Sequence, residues 1–199
     1  MFVFTSSGSL YAEKKGGMVN EESPIDEAKV NGPLRIAEKV ALSRGGCVVR
    51  LAGLYSFERG PHSVWLNEKR LNHSSLGEIN LISYEDAASR WWPPSSRHQS
   101  DQRGGRSAGG EREDFSRGGP LPVTRRKICE LALAHPLYGR KSMPKFTQDA
   151  TPIDCTDADS KKVYDSSVTR RVLGWEPKYS SMEEYFRMVM KELEELEEV

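Results

Sequence analysis

Apolar and polar residues follow one another in the first half of the chain in a pattern that predicts strands alternating with a helix. The apolar run 2–5 predicts a short buried strand, and the small residues after it predict a turn. Pro33 suits the first position of a helix, and Gly45 and Gly46 end that helix. The β-branched run 47–52 predicts the next strand. The helix between these two strands carries one apolar stripe, formed by Leu34, Ala37, Val40 and Ala41.

The second half of the chain continues with shorter elements. Residues 79–82 predict a third strand, and 84–88 predict the first turn of a helix with acidic residues at its positive end. Thr124 is placed to cap a further helix, and 165–173 predict a short helix that Gly174 closes.

A last amphipathic helix is predicted from the capping-box pattern of Ser181 and Glu184. Its apolar stripe contains Met182, Tyr185, Phe186, Val189, Leu193 and Leu196. Strand, helix and strand in this order are typical of an α/β fold with a parallel sheet.

Residues 90–120 interrupt this pattern. They contain paired tryptophans, paired prolines and a run of Arg, Ser, Gly, Gln and Asp with almost no aliphatic residue. Such a composition cannot form a core, and we expect 97–116 to be disordered. A natural surface insertion rich in Gly, Ser and Arg is one explanation.

A shifted reading frame is the other explanation for this segment. Tryptophan has the single codon TGG, so Trp91 and Trp92 fix part of the nucleotide sequence. Reading in an alternative frame permits Val-Val-Ala-Ala-Leu at this point, which would continue the helix predicted at 84–88. We therefore expect a frameshift or a mis-spliced exon within 90–121.

Composition excludes several classes of protein. The 199 residues contain 29 basic and 29 acidic side chains, so the formal net charge is zero and a general nucleic-acid binder is not expected. No apolar run approaches the ~20 residues of a membrane span. Cys47, Cys129 and Cys155 are widely spaced, which favours neither a zinc site nor a disulfide framework. We expect a reducing compartment, the cytoplasm or an organelle stroma or matrix, and the chain shows no targeting signal.

Four segments in order resemble the extended short-chain dehydrogenases/reductases, the family of nucleotide-sugar epimerases and dehydratases. FVFTSSGSLY at 2–11 resembles the family's strand with the catalytic serine, and CVVRLAGLY at 47–55 resembles its next strand with the turn that contacts the cofactor. ISYEDAA at 82–88 and VLGWEP at 172–177 resemble two later motifs of the family.

The resemblance covers 1–89 and 122–190, and it implies a partial Rossmann-type parallel sheet with helices on both faces. In this interpretation 1–89 form the C-terminal part of an NAD(P)-binding domain, and 122–199 form a small helical subdomain on the substrate side. It places Met1 in the middle of the family's nucleotide-binding domain. The chain contains no Gly-x-x-Gly-x-x-Gly turn, the element that receives the cofactor pyrophosphate.

The resemblance also assigns site residues. It places Ser7 where the family's serine binds substrate; the alternative is a polar turn whose hydroxyl bonds its own backbone. The cofactor side would consist of Thr5, Ser6, Leu54 and Tyr55, although Tyr55 could equally serve packing.

The family's acid/base pair is absent at the positions to which the resemblance assigns it. Its Tyr-x-x-x-Lys positions fall on Val30 and Leu34, and neither side chain can exchange a proton. The resemblance therefore implies an atypical member that, when complete, binds NAD or NADP and a nucleotide-sugar-like or other small substrate, and that could form a homodimer. As given, the chain is expected to bind the cofactor poorly and to be inactive as an enzyme. The alternative is a non-catalytic binding or scaffold protein with the same fold.

Overall fold

The computed structural model describes residues 2–89, 114–117, 122–149 and 162–197. The strands are β1 (Val3–Ser7), β2 (Met18–Val19), β3 (Cys47–Leu51), β4 (Gly53–Tyr55), β5 (Arg70–Leu71), β6 (Glu78–Ile79), β7 (Leu81–Ser83), β8 (Asp114–Arg117), β9 (Val123–Thr124), β10 (Lys145–Phe146) and β11 (Val163–Tyr164). The α-helices are α1 (Pro33–Ser43), α2 (Pro61–Trp65), α3 (Tyr84–Ala88), α4 (Arg125–Leu133), α5 (Ser167–Leu173) and α6 (Met182–Glu197). Short 3₁₀ helices cover Gly8–Leu10, Glu27–Lys29 and Pro136–Tyr138.

A parallel three-stranded sheet in the order β1-β3-β8 forms the centre of the first half of the chain. The register pairs Val3 with Cys47 and Ser7 with Leu51, so β1 and β3 end together at one edge of the sheet. Every residue of β3 is buried, as expected for a strand with neighbours on both sides. The long connection between the two strands includes α1, which packs against both of them. The predicted strand, helix and strand are therefore confirmed.

Strand β8 corrects one expectation. Its residues Asp114–Arg117 pair in parallel with β3, although we expected 97–116 to be disordered. The unpaired edge of β3 explains the difference, because its backbone groups need partners and almost any short segment can supply them. The rest of the interval 90–121 lies outside the described residues, so disorder and a shifted frame there stay predictions.

A second parallel pair joins β4 to β7, with Tyr55 opposite Ser83. Helix α3 follows β7 directly, and the Ser83 hydroxyl caps it by accepting the Asp86 backbone N–H at 2.9 Å. The predicted third strand is divided, because β6 pairs with β9 and β7 pairs with β4. Asn80 lies between them, and its side chain bonds to the backbone at Lys162 and Tyr164 on β11.

The described side chains pack into two apolar cores. The sheet core lies around β3, and it contains Cys47, Val49, Leu51, Ala52, Ile82, Ala87, Leu173 and Trp175. The helical core lies between β4, α4 and α6, and it contains Tyr55, Leu66, Leu71, Leu81, Ile128, Cys129, Ala132, Tyr138, Phe146, Tyr179, Met182, Tyr185 and Phe186. Strand β4 joins the two cores, because Leu54 packs with the sheet core and Tyr55 belongs to the helical core.

The helix ends largely follow the sequence. Thr124 caps α4 by accepting the Lys127 N–H at 3.2 Å, and Gly174 ends α5 with a φ of 56°. Ser181 accepts the Glu184 N–H at 3.1 Å, while the Glu184 carboxylate accepts the N–H of the preceding residue Ser180 instead of that of Ser181. The capping box is thus present with one contact displaced by a residue.

None of the described helices is both long enough and apolar enough to span a membrane.

Candidate functional site

The end of β1 forms a compact turn, which we call the serine turn (residues 7–11). Ser7 caps the 3₁₀ helix: its hydroxyl accepts the Ser9 backbone N–H at 3.2 Å and donates to the Ser9 hydroxyl at 3.0 Å. This is the local arrangement that a polar turn forms for its own backbone. The turn nevertheless lies at the carboxyl edge of a parallel sheet, where α/β proteins bind their ligands.

The two residues before Ser7 face opposite sides of β1. Thr5 is exposed, whereas Ser6 is buried against the carboxylate of Glu38 on α1. They alternate because successive side chains of a strand point to opposite faces. Thr5, Ser6 and Ser7 are therefore brought together at the end of the strand, but they do not share one surface.

Beneath the serine turn lies a buried ion pair between α1 and β3. The Arg50 guanidinium donates to both carboxylate oxygens of Glu38 at 2.9 Å, and Arg35 donates to the same carboxylate at 2.6 Å. Burial acts to raise the pKa of Glu38, but the hydrogen bonds from Arg50 and Arg35 outweigh it and hold the pKa below its ordinary value. The Arg50 guanidinium also lies 5.2 Å from the ring centre of Tyr11. This pair fixes the helix, the strand and the turn relative to one another.

Two lysines reach the serine turn from different parts of the chain. Lys29 donates to the carbonyl oxygen of Ser9 at 2.5 Å. Lys162, which precedes β11, donates to the carbonyl oxygens of Tyr11 at 2.7 Å and Gly8 at 3.3 Å. Burial lowers the pKa of Lys162, and the neighbouring Lys29 ammonium lowers it further.

Tyr164 closes the other side of the turn. Its ring packs edge-on against Tyr11 with 6.1 Å between ring centres, and a β-carbon on Gly8 would overlap its hydroxyl. Burial raises the pKa of Tyr164 far above its ordinary value, so its phenol stays protonated. Residues 162–164 therefore form one wall of the turn.

The two residues at the family's acid/base positions are both half-buried. Val30 ends the 3₁₀ helix Glu27–Lys29, and Leu34 lies in the first turn of α1. Both are apolar, so no proton can be exchanged at either place.

The other two predicted cofactor residues lie in β4. Leu54 is half-buried, and Tyr55 is buried with its ring 5.2 Å from that of Tyr185. Burial raises the pKa of Tyr55 strongly, with further raising by Asp86. These contacts give Tyr55 a packing role in the helical core.

The turn after β4 is held by side chains of the helical half. Phe57 donates its N–H to the Tyr185 hydroxyl at 3.2 Å, and its carbonyl oxygen accepts from Tyr138 at 3.2 Å. His62 Nε2 lies 3.0 Å from the same carbonyl, which makes this nitrogen the protonated one, and burial lowers the pKa of the imidazole. The turn that the resemblance assigns to the cofactor side is therefore tied to α2 and α6.

No group of three or more His, Cys, Asp or Glu side chains in the described part of the chain could hold a metal ion. Cys47 and Cys129 are buried, and burial raises the pKa of the Cys129 thiol to about 11.

Neither the ion pair nor the two lysines was predicted from the sequence. Arg50 was a detectable signal, because a charged residue inside a buried strand needs a partner. Lys162 gave no signal, since it reaches the turn from more than 150 residues along the chain.

No family model matches the chain, and no curated protein matches it. Solved structures do match it. A dTDP-glucose 4,6-dehydratase from Bacillus anthracis in complex with NAD has a TM-score of 0.64 and 18% identity over 98% of this chain. A UDP-glucose 4-epimerase from Thermotoga maritima with UDP-glucose has a TM-score of 0.57 and 18% identity, also over 98%. A functionally unknown conserved protein from Silicibacter pomeroyi has a TM-score of 0.66 and 18% identity over 96%.

The chain spans 62%, 63% and 66% of the length of these three structures, in the order given. Identities this low establish similarity of fold, and the two named enzymes are those whose family the four sequence segments resemble. The chain has the Rossmann-type α/β fold of the NAD-dependent epimerases and dehydratases.

Proposed function

We propose that the protein is an atypical NAD(P)-binding member of this fold, and that a nucleotide-sugar-like or other small molecule binds beside the nicotinamide. The observation that carries the proposal is the common edge at which β1 and β3 end, with Ser7 opposite Leu51. Ligands of doubly wound α/β sheets bind at this carboxyl edge. We assign Thr5, Ser6, Leu54 and Tyr55 to the cofactor side and Ser7 to substrate binding.

The fit of these residues to the cofactor is partial. The serine turn offers hydroxyl and backbone groups to a nicotinamide amide, whereas the chain has no glycine-rich turn for the pyrophosphate. A bound cofactor would supply hydride chemistry, and the apolar Val30 and Leu34 leave the usual proton transfer without a donor. A whole protein of this kind would therefore bind its ligands without the standard reaction.

A non-catalytic binding or scaffold protein is the second candidate. The absence of the acid/base pair favours it, while the retained serine turn favours a small-molecule site. The two are distinguished by whether any nicotinamide nucleotide contacts the turn.

The test is a titration of ¹⁵N-labelled protein with NAD⁺, NADP⁺ and nicotinamide mononucleotide, which lacks the adenylate half. We expect all three to bind weakly and about equally, with shifts of the backbone signals of Ser6 and Ser7. Ser7→Ala should weaken binding, and Ser43→Ala, at an exposed serine on α1, should not. No shift at the turn would contradict cofactor binding; micromolar affinity for NAD⁺ would overturn the view that pyrophosphate contacts are missing.

A further inference from the structure

Charged side chains surround Lys162 at the serine turn. Lys29 and Lys14 disfavour its positive charge, while Asp26 and Glu13 favour it. Both of these carboxylates already bind other groups of the chain. Asp26 pairs with Lys14 at 3.2 Å and accepts the Ala28 N–H, and Glu13 accepts the backbone N–H of Lys15 at 2.5 Å.

Lys29 and Lys162 form no ion pair with any residue that the structure describes. Their hydrogen bonds go to backbone carbonyl oxygens, which carry only partial charge. An ammonium group has three donors; Lys29 uses one on the turn and Lys162 uses two. Each lysine therefore has donor capacity left for a ligand.

The surroundings strengthen any electrostatic contact made there. Lys162 is half-buried, and Tyr164 and Tyr11 pack beside it. Burial lowers the pKa of Lys162 most, and repulsion from the nearby Lys29 ammonium lowers it further. An anion that binds both would relieve that repulsion, and charge-assisted hydrogen bonds are about twice as strong as neutral ones.

We propose that the serine turn is an oxyanion site, in which the ammonium groups of Lys29 and Lys162 and the hydroxyl of Ser9, which accepts from Ser7 and keeps its own proton to donate, bind a phosphate or carboxylate group of the ligand. The inference rests on the proposed small-molecule site at this edge and names its substrate class as anionic. Lys29 directly precedes Val30, so positive charge is supplied next to the position where the family's tyrosine is replaced. The site binds its ligand by ionic contacts at the place where the related enzymes exchange a proton with theirs.

The experiment is calorimetric titration without cofactor, using glucose 6-phosphate, glucuronate and glucose as probes at low ionic strength. We expect one or both anionic sugars to bind and glucose not to bind. The stronger of the two identifies whether phosphate or carboxylate is the preferred group. Binding should weaken as sodium chloride is raised, because partly exposed charges are screened.

Two variants and a matched control assign the site. Lys29→Met and Lys162→Met should each weaken binding of the anionic sugar at least tenfold, while Lys162→Arg keeps most of it. Lys39→Met removes the same charge from an exposed position on α1 and should leave the affinity unchanged. Thermal melts of each variant separate loss of the site from loss of the fold.

Three results would overturn the proposal. If neither anionic sugar binds the wild-type chain, or if Lys39→Met weakens binding as much as Lys29→Met, the oxyanion site does not exist. If Lys162→Met lowers the melting temperature and Lys29→Met binds normally, the lysines only fasten the turn and the proposal is overturned. Because no cofactor is present, these results are independent of the nicotinamide titration that tests the proposed function.

Discussion

Glu38 and Arg50 bring full charges into the space between α1 and the sheet, where both side chains are almost completely buried. The carboxylate accepts three hydrogen bonds from two arginines, and this satisfies a charge that burial would otherwise penalise. A buried pair of this kind contributes little net stability compared with apolar residues, but either partner alone is costly. Its role here is to fix the position of the serine turn.

We predict that Arg50→Met destabilises the protein by about 3–5 kcal/mol, because it leaves the Glu38 carboxylate buried without its main partner. The double variant Glu38→Leu with Arg50→Met should be less destabilised than Arg50→Met alone. Urea unfolding measures both. Lys191→Met, which breaks an exposed pair with Glu195, is the control and should change stability little.

The same pair has a pH dependence with a defined sign. The pKa of Glu38 is lowered in the folded state, so its contribution to stability is present at neutral pH and is lost as the pH falls through the folded value. Glu38→Gln removes this part of the acid sensitivity. A variant that loses stability between neutral and acidic pH as steeply as the wild type would contradict the assignment.

From the sequence, the resemblance assigns roles to Ser7, Val30 and Leu34, and these roles stay predictions. The structure places Ser7 at the end of β1, Val30 at the end of a 3₁₀ helix and Leu34 on α1. Lys162 could not be predicted from the sequence, because its approach depends on β11 pairing with β2 and on Asn80 bonding to the backbone beside it. Contacts between residues distant in sequence are set by packing, which local pattern does not encode.

At the scale of elements, the well-marked helices were predictable and the two-residue strands were not. Helix α1 begins at Pro33 and ends before the glycine pair, as its capping residues require. Strands β2, β5, β6, β9, β10 and β11 contain two residues each, too few for any alternation to be detected. They exist because a neighbouring segment supplies their hydrogen bonds.

Helix α5 gives an element-scale prediction. Gly174 ends it in the left-handed region with a φ of 56°, and nothing lies within 4 Å of the place a β-carbon would occupy. Gly174→Ala should therefore cost about 1–2 kcal/mol from backbone strain alone. Gly139 also follows a short helix, but with a φ of −58°, so Gly139→Ala should be nearly neutral. Equal effects of the two substitutions on urea unfolding would show that φ does not govern this helix end.

At the scale of the molecule, the sheet has an open side. Among the described residues β1 pairs only with β3, so its other edge has no strand beside it. An open depression of about 500 Å³ lies between β1 and α1. Phe2, Ile36 and Val40 are 48%, 52% and 54% exposed around it, so this surface presents apolar side chains to solvent.

We predict that this face makes the chain self-associate. Sedimentation velocity should show a mass that rises with protein concentration, because exposed apolar area and an open strand edge both favour association. The double variant Ile36→Glu with Val40→Lys should reduce association and retain the melting temperature, since the new pair is spaced i, i+4 along α1. Val64→Lys, at a 61% exposed residue on α2, is the control. A monodisperse wild-type monomer with a sharp, reversible melt would contradict the prediction.

The last prediction concerns 90–113, which lie between α3 and β8 and outside the described residues. Their sequence offers trypsin Arg97, Arg103, Arg106 and Arg112 in a stretch with almost no aliphatic residue, so we expect the first cleavages there. A chain with the alternative frame restored across 90–121 should gain helix by circular dichroism and resist trypsin, because Val-Val-Ala-Ala-Leu extends the apolar face that α3 begins. Transcript sequencing is the independent check. If it confirms the present frame and the interval withstands trypsin, the frameshift hypothesis is wrong and the segment is an ordered insertion.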